Sequence, residues 1–318
     1  MTGSGGHSAG SVTVGLGCAQ LGNLYRAMSD ETAAAIVDAA WLTGVRYFDT
    51  APHYGLGLSE RRLGAALRDR PRDEYVLSTK VGRLLEENPA YAGERDTDGF
   101  DVPATLVRRR DYSRDGVLRS LESSMARLGV DRIDIAFVHD AEDYVEEALA
   151  GAIPALVELR DQGVLRGIGL GMNFDKVLAE FVRRSDVDTV MIAGRYTLLE
   201  QPALDELLPL CEERGVRVMA AGVFNSGILA TPAPGVKYNY KEAPAELVAR
   251  AQRIADVCGR FGIDLPTAAI AMPARHPAVA AVVLGASSVR QVELNSARAA
   301  TEVPAELWEA LTEEGLLR

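Results

Sequence analysis

Eight times along the chain a short run rich in β-branched or small apolar residues gives way to a longer amphipathic stretch. Strands are expected at VTVGLGC (12–18), VRYFDT (45–50), YVLSTKVG (75–82), IDIAFVHD (133–140), LRGIGLGM (165–172), VDTVMIAGR (187–195), VRVMAAGVF (216–224) and AVAAVVLG (278–285). Helices are expected at 29–44, 58–69, 113–129, 153–163, 174–185 and 202–215. Two more precede the last strand and a final pair ends the chain. Ser29 reads as an N-cap and Gly44 as the close of the first helix. Strand–helix alternation implies parallel pairing through right-handed crossovers. Eight such units in 318 residues point to a single-domain (β/α)8 TIM barrel over 12–318 with long loops at its C-terminal rim. A doubly wound sheet is the runner-up, but Gly15, Gly17 and Gly22 have the wrong spacing for a G-x-G-x-x-G turn. MTGSGGHSAGS (1–11) lacks a basic start and an apolar run, and is expected to be a flexible tail.

Composition removes several classes of function. A net charge of -11 and a pI near 5.0 argue against nucleic acid as a partner, because binding phosphates needs a basic face. The run Arg108-Arg109-Arg110 sits between Asp101 and Asp111 and reads as a solvated or loop-anchoring cluster. No stretch approaches the roughly 18 to 20 apolar residues of a membrane span. Cys18, Cys211 and Cys258 are odd in number and far apart, so neither disulfides nor a metal site is expected, and the setting is a reduced cytoplasm. The expected partner is a small molecule, with the chain a monomer or small homo-oligomer. Two connections, 83–111 and 225–243, are unusually long; the first is polar, irregular and expected to be a functional loop or lid closing over bound cofactor.

In a barrel the site lies at the C-terminal ends of the strands. Asp49 and Tyr54 follow the second strand, Lys80 ends the third, His139 and Asp140 end the fourth, and Asn173 follows the fifth. Each alone would be an ordinary rim residue. Together they make chemical sense, since three consecutive strands bring ionisable groups to one rim. A phenol near its usual pKa of about 10 handles protons poorly at neutral pH. A nearby Lys80 ammonium is expected to lower the Tyr54 pKa, with Asp49 holding that ammonium in place. His139 would donate to a substrate oxygen or share the proton. His53, beside Tyr54, is expected to point elsewhere and stays a secondary candidate for substrate contact.

The segments YFDTAPHYGLGLSERRLGAAL, LSTKVG and DIAFVHD resemble the signature segments of the aldo-keto reductase family, over nearly the whole chain. That resemblance implies an NAD(P)-dependent oxidoreductase with Asp49, Tyr54, Lys80 and His139 as catalytic tetrad. GLGCAQLGNLY, HYGLGLSE, VHD and AGRYTLL more particularly resemble the sugar-oxidising branch, whose members oxidise L-fucose, D-threo-aldoses or L-galactose at C1 to a lactone. Pyridoxal 4-dehydrogenase lies close by and supplies the alternative, together with general aldehyde reduction. A non-catalytic, cofactor-binding regulatory subunit is a third reading. The resemblance places cofactor contacts at Gly17, Cys18, Asn173, Phe224, Asn225, Gly227, Gly285, Ser287, Gln291 and Asn295. Ala193 and Ala221 stand where the family has a Gln and a nicotinamide-stacking Tyr, so Phe224 is the expected aromatic wall. Arg290 is the only cation in the segment 285–295, which favours NAD, with NADP possible. Tyr25, His53, Asp140, Tyr238 and Tyr240 are the candidates for sugar hydroxyls.

Overall fold

The computed structural model describes residues 13–238 and 241–318; the tail expected over 1–11 and Tyr240 lie outside them. The first units are β1 (Val14–Gly17), α1 (Asp30–Leu42), β2 (Tyr47–Asp49), α2 (Leu58–Leu67) and β3 (Val76–Val81). An excursion, β4 (Arg83–Glu87) and β5 (Leu106–Arg110), precedes α3 (Arg114–Leu128) and β6 (Ile135–His139). Then come α4 (Val145–Glu147), a π-turn at Ala148–Ala152, α5 (Ile153–Asp161), β7 (Gly167–Met172), α6 (Asp175–Arg184), β8 (Thr189–Ala193), α7 (Leu207–Arg214) and β9 (Arg217–Ala221). Two short strands, β10 (Lys237–Tyr238) and β11 (Lys241–Glu242), lead to α8 (Ala245–Arg260) and α9 (Leu265–Ala271). The chain ends with β12 (Val279–Gly285), α10 (Val289–Ala299) and α11 (Ala305–Glu313).

Eight strands close in parallel in the order β1-β12-β9-β8-β7-β6-β3-β2, which is the expected (β/α)8 barrel. Local signals start the helices where they fall. The side chains of Ser29, Ser113 and Asp264 accept hydrogen bonds from the backbone N–H of Thr32, Gly116 and Thr267, three residues on. Gly44, at φ +90°, takes the chain off the end of α1 in a conformation that costs glycine little.

The period of two along each strand sorts side chains between two cores. Tyr47, Ile135, Phe137, Met191, Met219, Ala281 and Val283 fill the barrel interior. Their neighbours Phe48, Leu77, Ala136, Val138, Val190 and Val218 face the helices. Fully burying a side chain such as Phe137 stabilises by about 1.5–3 kcal/mol. At Gly15 a Cβ would lie 2.5 Å from the Tyr47 ring, so this strand has no side chain where Tyr47 occupies the interior. The same parity turns Asp49, Lys80 and His139 inward, in the layer above that core.

The expected irregular loop over 83–111 is corrected. Residues 83–87 and 106–110 pair as an antiparallel ribbon, Arg83 opposite Arg110 and Glu87 opposite Leu106. Across the pair Arg109 reaches the diagonally placed Glu86. The tip folds back on the β1–α1 connection, where Tyr25 N–H donates to Gly99 O and Asp101 N–H to Asn23 O. Arg108 pairs with Asp96 and Asp98. The segment is thus an ordered wall pinned to the barrel, and it borders the Tyr54 end of the rim.

Candidate active site

Lys80 lies at the centre of the inward layer. Its Nζ donates to Asp49 Oδ2 at 2.6 Å and to the Thr50 carbonyl at 3.0 Å, and both side chains are almost fully buried. The other oxygen of Asp49 accepts from Ser78 Oγ at 2.7 Å, and Ser78 Oγ lies 3.0 Å from the Tyr47 hydroxyl. Both carboxylate oxygens are therefore satisfied, which a buried charge requires. Tyr54 leans over the lysine, with Nζ 5.0 Å from its ring centroid. His139 meets Tyr54 edge-on, centroids 6.1 Å apart. The four residues expected to act together do converge.

The expected lowering of the Tyr54 pKa is overturned. Burial pushes the phenol up to about 12, and the opposing pull of Lys80 does not cancel it, because Asp49 pushes the same way as burial. At Lys80 burial opposes the charge, yet Asp49 and Tyr54 hold its pKa above the usual lysine range. Burial, with Arg83 next, depresses both nearby imidazoles. His139 is held well below its ordinary value and His53 falls to about 2. Both are neutral at pH 7.

These groups line one end of a cleft of about 850 Å³ at the C-terminal rim of the barrel. Gly17, Cys18, Tyr25, His53, Asp140, Asn173 and Gly285 of the expected residues border it. The Cys18 thiol is fully buried, its pKa pushed up by burial, so this residue offers no reactive sulfur to the cleft. His53 is not turned away as expected. Its ring lies 5.6 Å from His139 and 5.2 Å from Phe100, and its Nδ1 is 3.2 Å from Arg83.

Several expected contacts point elsewhere. Asn225 Nδ2 donates to Gly194 O and Glu200 Oε1, and the Tyr238 hydroxyl donates to the same Glu200 carboxylate, so neither side chain lines the cleft. Gly227 does not line the cleft itself but bridges Lys237, which does. Phe224 packs against the barrel's outer cores; Met172, Ala193, Ala221 and Gly222 line this part of the cleft, and the aromatic residue that borders it next to Asn173 is Phe174. Asn295 is buried in a separate small crevice between β1, α1 and α10. Gln291 caps its own helix, taking the Ser287 N–H at 2.7 Å and the Ser287 hydroxyl at 3.1 Å. Nor is Arg290 the only cation near that segment: Arg26, from the β1–α1 connection, donates to Ser287 Oγ at 3.1 Å.

The same cleft contains residues that sequence reasoning missed: Gln20, Arg83, Phe100, Arg110 and Lys237. Arg83 stands directly after a strand end and could have been found by the rule that found Lys80. The others come from connections whose path no local pattern encodes. A dinucleotide fits the residues present. The floor opposite Tyr54 is nearly bare of side chains (Gly17, Ala193, Ala221, Gly222 and Gly285). Gln20 Oε1 is buried there with no partner among the described residues, and a Cβ at Gly285 would lie 2.6 Å from the Gln20 carboxamide. Lys237 supplies a cation to the cleft, stacked 4.4 Å over Tyr25. Among the described residues no group of three or more His, Cys, Asp and Glu side chains could hold a metal, and no helix is long and apolar enough to cross a membrane.

Comparison with known proteins agrees with this geometry. The sequence profile of the aldo/keto reductase family matches residues 13–314. The chain is 48% identical over 309 residues to a D-threo-aldose 1-dehydrogenase of Pseudomonas sp, covering 96% of this chain and 94% of that protein. It is 40% identical over 322 residues to a pyridoxal 4-dehydrogenase of Microbacterium luteolum, with the same coverage. An aldo-keto reductase from Bacillus halodurans, solved in its holo form, superposes with a TM-score of 0.74 at 27% identity, over 97% of this chain and 93% of that one.

Proposed function

The chain belongs to the aldo/keto reductase family and is an oxidoreductase, and on that premise we propose that it oxidises an aldose of the L-fucose or D-threo type at C1 to a lactone, with NAD or NADP as cofactor and Tyr54 as the proton-handling residue. The observation that carries this reading is the convergence of Asp49, Lys80, Tyr54 and His139 at one end of a cleft whose opposite floor is bare. Gly17, Gln20, Asn173, Gly222 and Gly285 would hold the dinucleotide, with Lys237 and Arg26 as the nearby cations. Bound there, the nicotinamide supplies the hydride acceptor.

The protein's own groups do the rest. Asp49 keeps Lys80 charged and fixed, and Lys80 favours the Tyr54 phenolate against the cost of burial. A phenol at about 12 is neutral at pH 7, which suits donation to a carbonyl oxygen. In the oxidative direction it takes the hydroxyl proton as phenolate, so Lys80 sets the fraction available. Neutral His139 can accept or donate a hydrogen bond at the reacting oxygen without carrying charge. Gln291 is committed to capping, so a 2′-phosphate would be met by Arg26 at Ser287 rather than by Gln291. The aromatic surfaces of Tyr25, Tyr54 and Phe100 favour the second reading, oxidation of pyridoxal. Three buried, unpaired thiols support a reducing compartment such as the cytoplasm.

Reduced-cofactor formation with L-fucose, L-galactose, D-arabinose and pyridoxal, each with NAD and NADP, separates these readings. Tyr54→Phe is expected to keep cofactor affinity and lose turnover about a hundredfold or more. Full turnover in that variant would remove Tyr54 from the chemistry.

A further inference from the structure

The wall of the cleft nearest His139 is a linked set of charged side chains. Arg83, the first residue of β4, donates to Asp140 Oδ2, and its Nη1 lies 3.2 Å from His53 Nδ1. Asp140 Oδ2 lies 3.5 Å from His139 Nε2, so one carboxylate oxygen touches both the ribbon and the imidazole. Asp140 adopts φ +44°, an uncommon conformation for a residue with a side chain. Its carbonyl is held there by Arg110 and, at 2.8 Å, by the Tyr112 hydroxyl. The neighbourhood is thus built from two strands and the ribbon, and it holds Asp140 in a strained turn beside the reacting groups.

Two features of this wall specify a ligand. First, it keeps unused hydrogen-bonding capacity: Arg83 Nε, His139 Nδ1 and Glu142 Oε2 are buried with no partner among the described residues. Buried polar atoms are rarely left so without a function. Donors and an acceptor lie together, which matches the donor–acceptor character of hydroxyl groups. Second, the charges cancel. Lys80 is matched by Asp49, Arg83 by Asp140, and Arg110 has both Asp140 and Glu142 in its field. Among the described residues the cations beside His139, which are Lys80, Arg83 and Arg110, each face a carboxylate, while Lys237 lies over Tyr25 instead; a phosphate or carboxylate reaching this wall would therefore meet Asp140 and Glu142 rather than an open guanidinium.

Resting on the aldose reading above, we infer that Arg83, Asp140 and Glu142 form the specificity edge of the site, reading the hydroxyls of a neutral polyhydroxy aldehyde and rejecting its phosphorylated or carboxylated counterparts. Arg83 is a specificity residue that the ribbon delivers, and Asp140 couples it to His139.

D-arabinose and D-arabinose 5-phosphate are the probes, with wild type, Arg83→Met and Asp140→Asn compared. NADH fluorescence on binding reports that each variant keeps its fold and cofactor site. The wild type is expected to favour D-arabinose by at least a hundredfold in kcat/KM. Both variants should raise KM for D-arabinose at least tenfold, with a smaller change in kcat. Asp140→Asn, which releases Arg83, should also move the ratio toward the phosphate ester. Unchanged KM in both variants, or a wild type that accepts the phosphate ester as well as the free sugar, overturns the inference. A wild type that turns over neither sugar but oxidises pyridoxal overturns the underlying aldose reading instead.

Discussion

Lys80 and the burial around it pull Tyr54 in opposite directions, and burial prevails. With the phenol at about 12, the phenolate fraction rises about tenfold per pH unit below that value. Oxidation by the wild type is therefore expected to accelerate steadily from pH 7 to 10, while carbonyl reduction does not. Lys80→Met should push the phenol higher and depress oxidation across that range; the double variant Asp49→Asn/Lys80→Met avoids stranding a buried carboxylate. A flat oxidation profile would show that another group takes the proton. The histidines act on stability. His53 and His139 are depressed in the folded chain, whereas an unfolded imidazole titrates near 6.5. Between those values the unfolded state binds the extra protons. Their contribution is thus fully present above about pH 6.5 and is lost as pH falls, at about 1.4 kcal/mol per pH unit for each. Denaturant titrations between pH 7 and 5 should show this slope, and His53→Gln should reduce it by about one proton. An identical slope in the variant would mean that His53 is not buried neutral.

The ribbon β4–β5 is the element that turns a generic barrel rim into a particular cleft. It contributes Arg83, Phe100 and Arg110, and it hangs on Arg108, whose guanidinium meets Asp96, Asp98 and the His53 carbonyl. Asp96 is 5% exposed, so Arg108→Ala would strand a buried carboxylate and cost about 3 kcal/mol. Faster amide exchange confined to 83–110, with the barrel strands still protected, is the expected signature. Uniform protection in that variant would mean the ribbon is held by other contacts. RLLEE and LVRRR carry no period of two, and the eighteen residues between them and their high charge content hide the pairing from a local reading. The run Arg108-Arg109-Arg110 was legible as a loop anchor, and Arg108 and Arg109 serve that role. That Arg110 also reaches the cleft depends on where the ribbon folds back.

At the scale of the whole molecule, the closed sheet leaves no free barrel edge, and the cores on its two faces share the same strands. A single cooperative unfolding transition is expected. Cofactor at a hundredfold its Kd should raise stability by about 2.7 kcal/mol, a shift of a few degrees in Tm. Two separate transitions, only one moving with cofactor, would contradict one domain carrying one site.

The alternation of eight strands with helices was enough to specify the barrel, because period two and period 3.6 are local properties that few architectures can satisfy in that order. The same parity, with the rule that barrel sites lie at strand ends, was enough to bring Asp49, Lys80 and His139 to one inward layer, with Tyr54 just beyond. Tertiary structure alone decided the rest. Burial reversed the direction of the Tyr54 shift, because desolvation depends on every group packed around the phenol rather than on its charged neighbour. Glu200 drew the Asn225 amide nitrogen and the Tyr238 hydroxyl away from the cleft, and Gln291 turned to capping, because partners brought close by the fold engage those polar groups. Arg26 met Ser287, and Arg83 met His53 and Asp140, across separations of 261, 30 and 57 residues. Those encounters are set by how loops close over the rim, and no local pattern in the chain records them.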